Sequence, residues 1–188
     1  MNPSVDSESF VPAVARGDLA AFEALYDRYS STLYALLLRI LNNPEDAQEV
    51  LQESFVKVWT SARMFDAERG SEVAWLISIA RSKGIDRLRS RKIRSDREND
   101  AGREISIHSS FVEKTTGAEV AMRSQESTAV RSALAELPDA QWIALELAYF
   151  EGLSQSEIAE RLNEPLGTIK TRMQLGMKKL RERLKAFQ

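Results

Sequence analysis

Apolar residues in this chain recur at steps of three and four, and no segment alternates at the step of two that a half-buried strand requires. Leu19, Phe22, Leu25, Tyr26, Tyr29, Leu33, Leu36, Leu37 and Ile40 share one helical stripe. Ala47, Val50, Leu51, Ser54, Phe55, Val58 and Trp59 form a second, and Asn42-Asn43-Pro44 punctuates the two. A third helix is predicted over about 71–93, through Val73, Trp75, Leu76, Ile77, Ala80 and Leu88. Its first half is apolar nearly all round and should be buried; its second half is basic and should emerge into solvent. Gly84 within it costs about 1 kcal/mol relative to Ala, which predicts close packing or a bend there. Residues 63–70 between the second and third helices look like a loop.

The pattern lapses between residues 96 and 125, where Ser, Thr, Gly, Glu and Asp dominate. Helix resumes with Val130, Ala133, Leu134 and Leu137, then stops at Pro138. Residues 139–149 read as a densely apolar, buried helix ended by Gly152. Ser154-Gln155-Ser156-Glu157 fits a capping box, with Ser at the cap and Glu three residues on. The short helix it opens turns Ile158, Ala159 and Leu162 inward and breaks at Asn163. Pro165-Leu166-Gly167-Thr168 starts a last helix through Ile169, Met173, Met177, Leu180 and Leu184. The expected fold is all-α: two small helical domains, 1–97 and 127–188, joined by a flexible linker over 98–126.

Composition removes several kinds of chemistry. The 188 residues are 43% hydrophobic and 29% charged, as in a globular protein. With no Cys there is no disulfide, thiolate nucleophile or Cys-ligated zinc. The one histidine, His108, falls in the linker and reads as a solvated bystander. No nucleophile, metal cluster or glycine-rich phosphate loop supports an enzyme, and neither a cofactor nor a small-molecule substrate is expected. Residues 1–10 lack the basic start and apolar core of a secretory signal, and no apolar run approaches the ~20 residues that span a bilayer. A cytoplasmic protein without membrane insertion of its own is expected.

The formal net charge of −2 conceals a strong segregation. Residues 1–80 carry a net −6, whereas residues 81–97 hold eight basic and two acidic side chains. Residues 165–188 hold seven basic and one acidic. One such block is ordinarily a solvated face; two, each closing a helical segment, point to two contacts with a polyanion.

The capped short helix, tight turn and longer basic helix at 154–180 make a helix-turn-helix, whose second helix can enter the DNA major groove. Lys170, Thr171, Arg172 and Gln174 lie in its first two turns, within reach of base edges. Arg can bond guanine bidentately, and Gln adenine. Lys178, Lys179, Arg181 and Arg183 are better placed for phosphates.

These segments resemble a known family. Gly152-Leu-Ser-Gln-Ser-Glu-Ile-Ala-Glu-Arg-Leu162, Pro165-Leu-Gly-Thr-Ile-Lys-Thr-Arg172 and Lys178-Lys-Leu-Arg181 resemble region 4 of bacterial sigma factors of the sigma-70 family, in its small extracytoplasmic-function (ECF) group. Glu45-Asp-Ala-Gln-Glu-Val-Leu-Gln-Glu-Ser-Phe-Val-Lys-Val-Trp59 resembles region 2.2. Ala74-Trp-Leu-Ile-Ser-Ile-Ala-Arg81 and Asp86-Arg-Leu-Arg89 resemble regions 2.3 and 2.4. The resemblance implies a transcription initiation factor that binds core RNA polymerase and promoter DNA, under the control of an anti-sigma factor. Residues 1–97 would be region 2, which reads and melts the −10 element; residues 127–188 would be region 4, which reads the −35 element.

The resemblance also assigns residues. Asp46, Glu49, Leu51, Gln52 and Glu53 would dock on core polymerase. On the residues alone, Glu45, Glu49 and Glu53 form an acidic ridge that is otherwise a plain solvated face; a metal site there is disfavoured because same-helix carboxylates repel. Arg63, Phe65, Arg81, Ser82, Lys83, Arg87, Arg89 and Arg91 would meet −10 DNA, although Ser82 stands where many family members have Asn. Phe65 either stacks on a base or packs under its loop, and Trp75 is either core or a stacking platform. Thr168, Lys170, Thr171, Arg172, Gln174, Lys178 and Lys179 would meet the −35 element. Leu175 and Met177 stand where many relatives carry basic residues. The competing reading, a helix-turn-helix regulator that binds operators without polymerase, leaves residues 19–97 unexplained.

Overall fold

The computed structural model describes residues 9–98 and 132–184, the side chains of 95–98 excepted. Nearly all of the linker, with His108, lies outside the described residues. The chain divides into two compact units, residues 1–121 and 122–188. Among the described residues every regular element is helical.

In the first unit, α1 (Val11–Val14) is followed by α2 (Leu19–Leu41), α3 (Pro44–Ser61) and α4 (Glu72–Glu98). Helices α2, α3 and α4 pack pairwise around one core. Asp18 caps α2 by accepting from Ala21 N at 3.1 Å. Asn42 ends α2 in the left-handed region (φ 47°), and Asn43 caps α3 through Asp46 N at 2.8 Å, with Pro44 in the first turn. Two asparagines thus reverse the chain without a loop. Most of the stripes predicted for α2 and α3 are buried, with Leu25, Leu33, Leu37, Val50, Phe55 and Val58 in the core, but Leu19, at the start of α2, is 66% exposed and Tyr26 39%. Phe22 stands edge-on to Trp59 at 5.2 Å, and Tyr26 lies 4.6 Å from Phe55.

Gly84 settles as a close approach. A Cβ there would lie 3.0 Å from Leu37 Cδ2 and 3.4 Å from Ile40 Cγ2, so α4 crosses α2 at close range and a side chain at this position would press on Leu37. The first half of α4 is less buried than its composition suggests: Leu76 and Ala80 are inside, Trp75, Ile77 and Ile79 are half-buried, and Ala74 is exposed. Two helices cover α4 from one side only, so the rest of its circumference stays open. The expected loop contains two single 3₁₀ turns, Ala62–Met64 and Ala67–Arg69.

In the second unit, a helical turn at 132–135 (α5) precedes α6 (Asp139–Phe150), α7 (Gln155–Leu162) and α8 (Leu166–Leu184). The capping box is present: Ser154 Oγ accepts from Glu157 N at 3.3 Å, and Glu157 Oε2 accepts from Ser154 N at 2.7 Å. Asn163, at φ 50°, ends α7. Leu147, Ile158 and Ile169 form the core, with Ile143, Leu162 and Met173 around it. Helix α6 is only partly enclosed, Ala144 and Leu147 being its buried residues. Gly176 admits α8 against α6, since a Cβ there would sit 2.9 Å from Leu145 Cδ1.

Candidate functional site

Residues 154–180 form the predicted helix-turn-helix, α7 and α8 meeting through Ile158 and Ile169. That packing leaves one side of α8 open. Lys170, Thr171 and Gln174 are exposed on it, and Thr168 is half-buried. Arg172 is turned differently: its Nη2 bonds Glu164 Oε1 at 2.9 Å, tying α8 to the turn before it. Thr171 Oγ1 donates to Gly167 O at 2.9 Å. Lys178 stands 4.0 Å from Glu182 Oε1, and Lys179 Nζ donates to Glu136 O at 2.6 Å. Leu175 and Met177 are about half exposed, at 49% and 50%. The arrangement offers a polar stripe that can enter a groove, with cations beside it.

The first unit brings together two residue sets that the sequence keeps apart. On α3, Asp46, Glu49 and Glu53 follow one another at steps of three and four. On α4, Lys83, Arg87 and Arg91 do so at steps of four. The stripes face each other. Arg87 Nη1 bonds Asp46 Oδ1 and Glu49 Oε2, both at 2.8 Å, and its Nη2 reaches Glu53 Oε1 at 3.2 Å. Arg91 bonds Asp46 Oδ2 at 2.8 Å and Leu41 O at 3.3 Å; Lys83 bonds Glu53 Oε2 at 2.9 Å. The Arg87 hydrogen bond, and then its charge, hold the Glu49 carboxyl below the usual carboxylate range. The bond to Glu49 in turn raises the Arg87 pKa.

The residues matched to polymerase docking and those matched to −10 DNA therefore neutralise one another in part. Glu49, Gln52 and Glu53 keep their outer sides exposed, Asp46 is half-buried, and Leu51 is a core residue at 6% exposure. Arg81 is half-buried, and Ser82 and Arg89 are exposed. Lys92 and Arg94, which sequence reasoning passed over, are exposed farther along the same helix.

In the 62–71 segment, Met64 is 80% exposed while Phe65 is half-buried, its ring 5.4 Å from that of Trp75. The two aromatics are thus one tilted pair at the protein surface. Arg63 Nε donates to Ala15 O at 3.3 Å. Among the described residues no acidic or histidine cluster is arranged to hold a metal ion, and no helix is long and apolar enough to cross a membrane.

Comparison with known proteins gives the same two regions in the same order. The family model described as Sigma-70 region 2 matches residues 25–93, and that described as Sigma-70, region 4 matches residues 127–180. The ECF RNA polymerase sigma factor SigK of Mycobacterium sp. (strain KMS) is 34% identical over 180 residues, 95% of this chain and 90% of its own. SigK of Mycobacterium tuberculosis (strain ATCC 25177 / H37Ra) is 35% identical over 178 residues, 95% and 93% of the two chains. Among solved structures, Rhodobacter sphaeroides SigE in complex with the anti-sigma ChrR is 28% identical, covering 96% of this chain and 99% of its own at a TM-score of 0.47. CnrH in complex with the cytosolic domain of CnrY is 23% identical, covering 94% and 96% at a TM-score of 0.41.

Proposed function

The chain belongs to the ECF group of the sigma-70 family, non-enzymatic transcription factors that bind core RNA polymerase and direct it to promoters, and from that premise we propose how its surfaces divide the work. Residues 1–97 serve as region 2, 98–126 as the connector and 127–188 as region 4. The exposed outer side of α3, with Glu49, Gln52 and Glu53, docks on core polymerase. The basic face of α4 and the 62–71 segment meet the −10 element. Lys170, Thr171 and Gln174 on α8 read the −35 element, while Lys178 and Lys179 hold phosphates. Two recognition sites two helical turns apart lie roughly 68 Å from each other along DNA. A 29-residue connector at ~3.3 Å per residue reaches roughly 95 Å when extended, which suffices.

The chain itself catalyses nothing in this reading, so strand separation draws on binding energy. Unstacking a base costs a few kcal/mol. Stacking on Phe65 and attraction of the displaced strand to cations offset that cost. The protein acts in the cytoplasm, and an anti-sigma factor restrains it by covering the surfaces that meet polymerase.

The observation that carries the proposal is the facing pair of charged stripes on α3 and α4, one of each sign, in the unit that matches region 2. Reconstitution with core polymerase tests it. The chain should bind core stably and support promoter-specific initiation on genomic fragments. Specific DNA binding with no association with core would instead favour an operator-binding regulator.

A further inference from the structure

A glutamate in the first turn of a helix is ordinarily a surface residue that complements the helix dipole. Glu72, in the first turn of α4, is buried at 7% exposure. Its Oε2 accepts from Ser9 Oγ at 2.7 Å and from Val11 N at 2.8 Å. Val11 opens α1, so the carboxylate satisfies a backbone N–H that has no partner within its own helix. Tyr29, on α2, also interacts with Glu72: burial, and then the charge of Glu72, raise the pKa of its hydroxyl. One carboxylate thus joins the N-terminal segment, α2 and α4.

The same N-terminal segment also holds the other end of the 62–71 stretch. Helix α1 packs against the Ala62–Met64 turn, and Ala15 O accepts from Arg63 Nε. Residues 9–15 therefore grip the stretch where it leaves α3, through Arg63, and where it enters α4, through Glu72. Trp75, which supports Phe65, lies one helical turn beyond Glu72.

We propose that Glu72 is a positioning residue for promoter opening: by anchoring residues 9–15 to the start of α4, it fixes both ends of the 62–71 segment and so presets Phe65 against Trp75 for the displaced base. The proposal rests on the reading of that segment as the base-capturing one. Preorganisation is worth most where geometry is demanding, because a displacement of about 1 Å can cost about a hundredfold in rate. On a template already melted there is less to gain.

The test uses holoenzyme reconstituted from the full chain and core polymerase, on a duplex promoter and on the same promoter with a pre-melted −10 bubble. Glu72→Leu should slow open-complex formation on duplex by about tenfold or more and on the bubble by about twofold or less. Glu72→Gln keeps an acceptor oxygen for Val11 N–H and should recover most of the duplex rate. Ser9→Ala, which removes a single donor, should show a smaller duplex-selective loss and carries the test if Glu72→Leu does not fold. Equal losses on both templates that track the melting temperature, or no loss on duplex, overturn the proposal. Phe65→Ala run alongside separates the two ideas. If it is equally defective on both templates, the base-capture reading fails; if it is duplex-selective while the Glu72 and Ser9 variants are not, only the role of Glu72 fails.

Discussion

Removing the acidic stripe of α3 should turn the free protein into a stronger and more salt-sensitive DNA binder. In the variant D46N/E49Q/E53Q, Lys83, Arg87 and Arg91 lose the carboxylates to which they are bonded. Each cation that passes to a phosphate steepens the dependence of log K on log salt by about 0.9, so three add about 2.7. Between about 50 and 200 mM salt that is about 3.5-fold per cation and about 40-fold for all three. The variant also moves the formal net charge from −2 to +1. E23Q/D27N/E160Q carries the same change at exposed positions outside that stripe, and at a Debye length of about 10 Å in about 0.1 M salt its remote effect is largely screened. Anisotropy of a labelled −10 fragment, titrated across that salt range with the free chain, measures both slopes. Circular dichroism checks that helix content survives. A slope equal to that of the wild type or of the control would mean that the three cations do not reach DNA once released.

The helix-turn-helix separates two arginine and lysine roles. Lys170→Ala should lose about 1–3 kcal/mol of base discrimination at the −35 element with an unchanged melting temperature. Arg172→Ala should lower the melting temperature, as should Glu164→Gln, because the tie at 2.9 Å is lost; a melting temperature unmoved by both would return Arg172 to the base-reading set. Gly176→Val should cost about 1–3 kcal/mol by overpacking against Leu145, read from denaturant midpoints; no change would mean that α6 and α8 do not close at that point. Burial, and then the charge of Glu72, raise the Tyr29 pKa above its ordinary 10.0. The neutral hydroxyl is the form the fold favours, so its contribution is complete below about pH 10 and is lost as pH rises through the folded value. Stability of the wild type should fall more steeply than that of Tyr29→Phe above pH 10, and parallel curves would refute the coupling.

Elements announced by local chemistry were legible in the sequence. Asn42-Asn43-Pro44 and Ser154-to-Glu157 set their helix ends with their own side chains, and a glycine inside an apolar helix signalled the crossing at Gly84. Of the four α8 residues placed near base edges by their position in its first two turns, Lys170, Thr171 and Gln174 are exposed, whereas Arg172 is tied to Glu164. What escaped depends on distant partners. Helix α1 is four residues long, too short to display a period. Glu72 looks like any first-turn acid until Ser9 and Val11, more than 60 residues earlier, are seen to bind it. The pairing of Arg87 with Asp46, Glu49 and Glu53 likewise joins positions 34 to 41 residues apart, and either stripe alone reads as a solvated face.

The two-asparagine reversal between α2 and α3 sets an order of assembly. Closing it confines almost no chain, so the α2–α3 hairpin is the least costly tertiary contact for the first unit to make in entropy. Helix α4 must close a longer excursion before its contacts repay the loss. The hairpin is therefore expected to supply the nucleus, with α4 arriving on a preformed groove. Substitutions such as Leu33→Ala and Val50→Ala should then slow folding, whereas loss of the Arg87 contacts should mainly hasten unfolding.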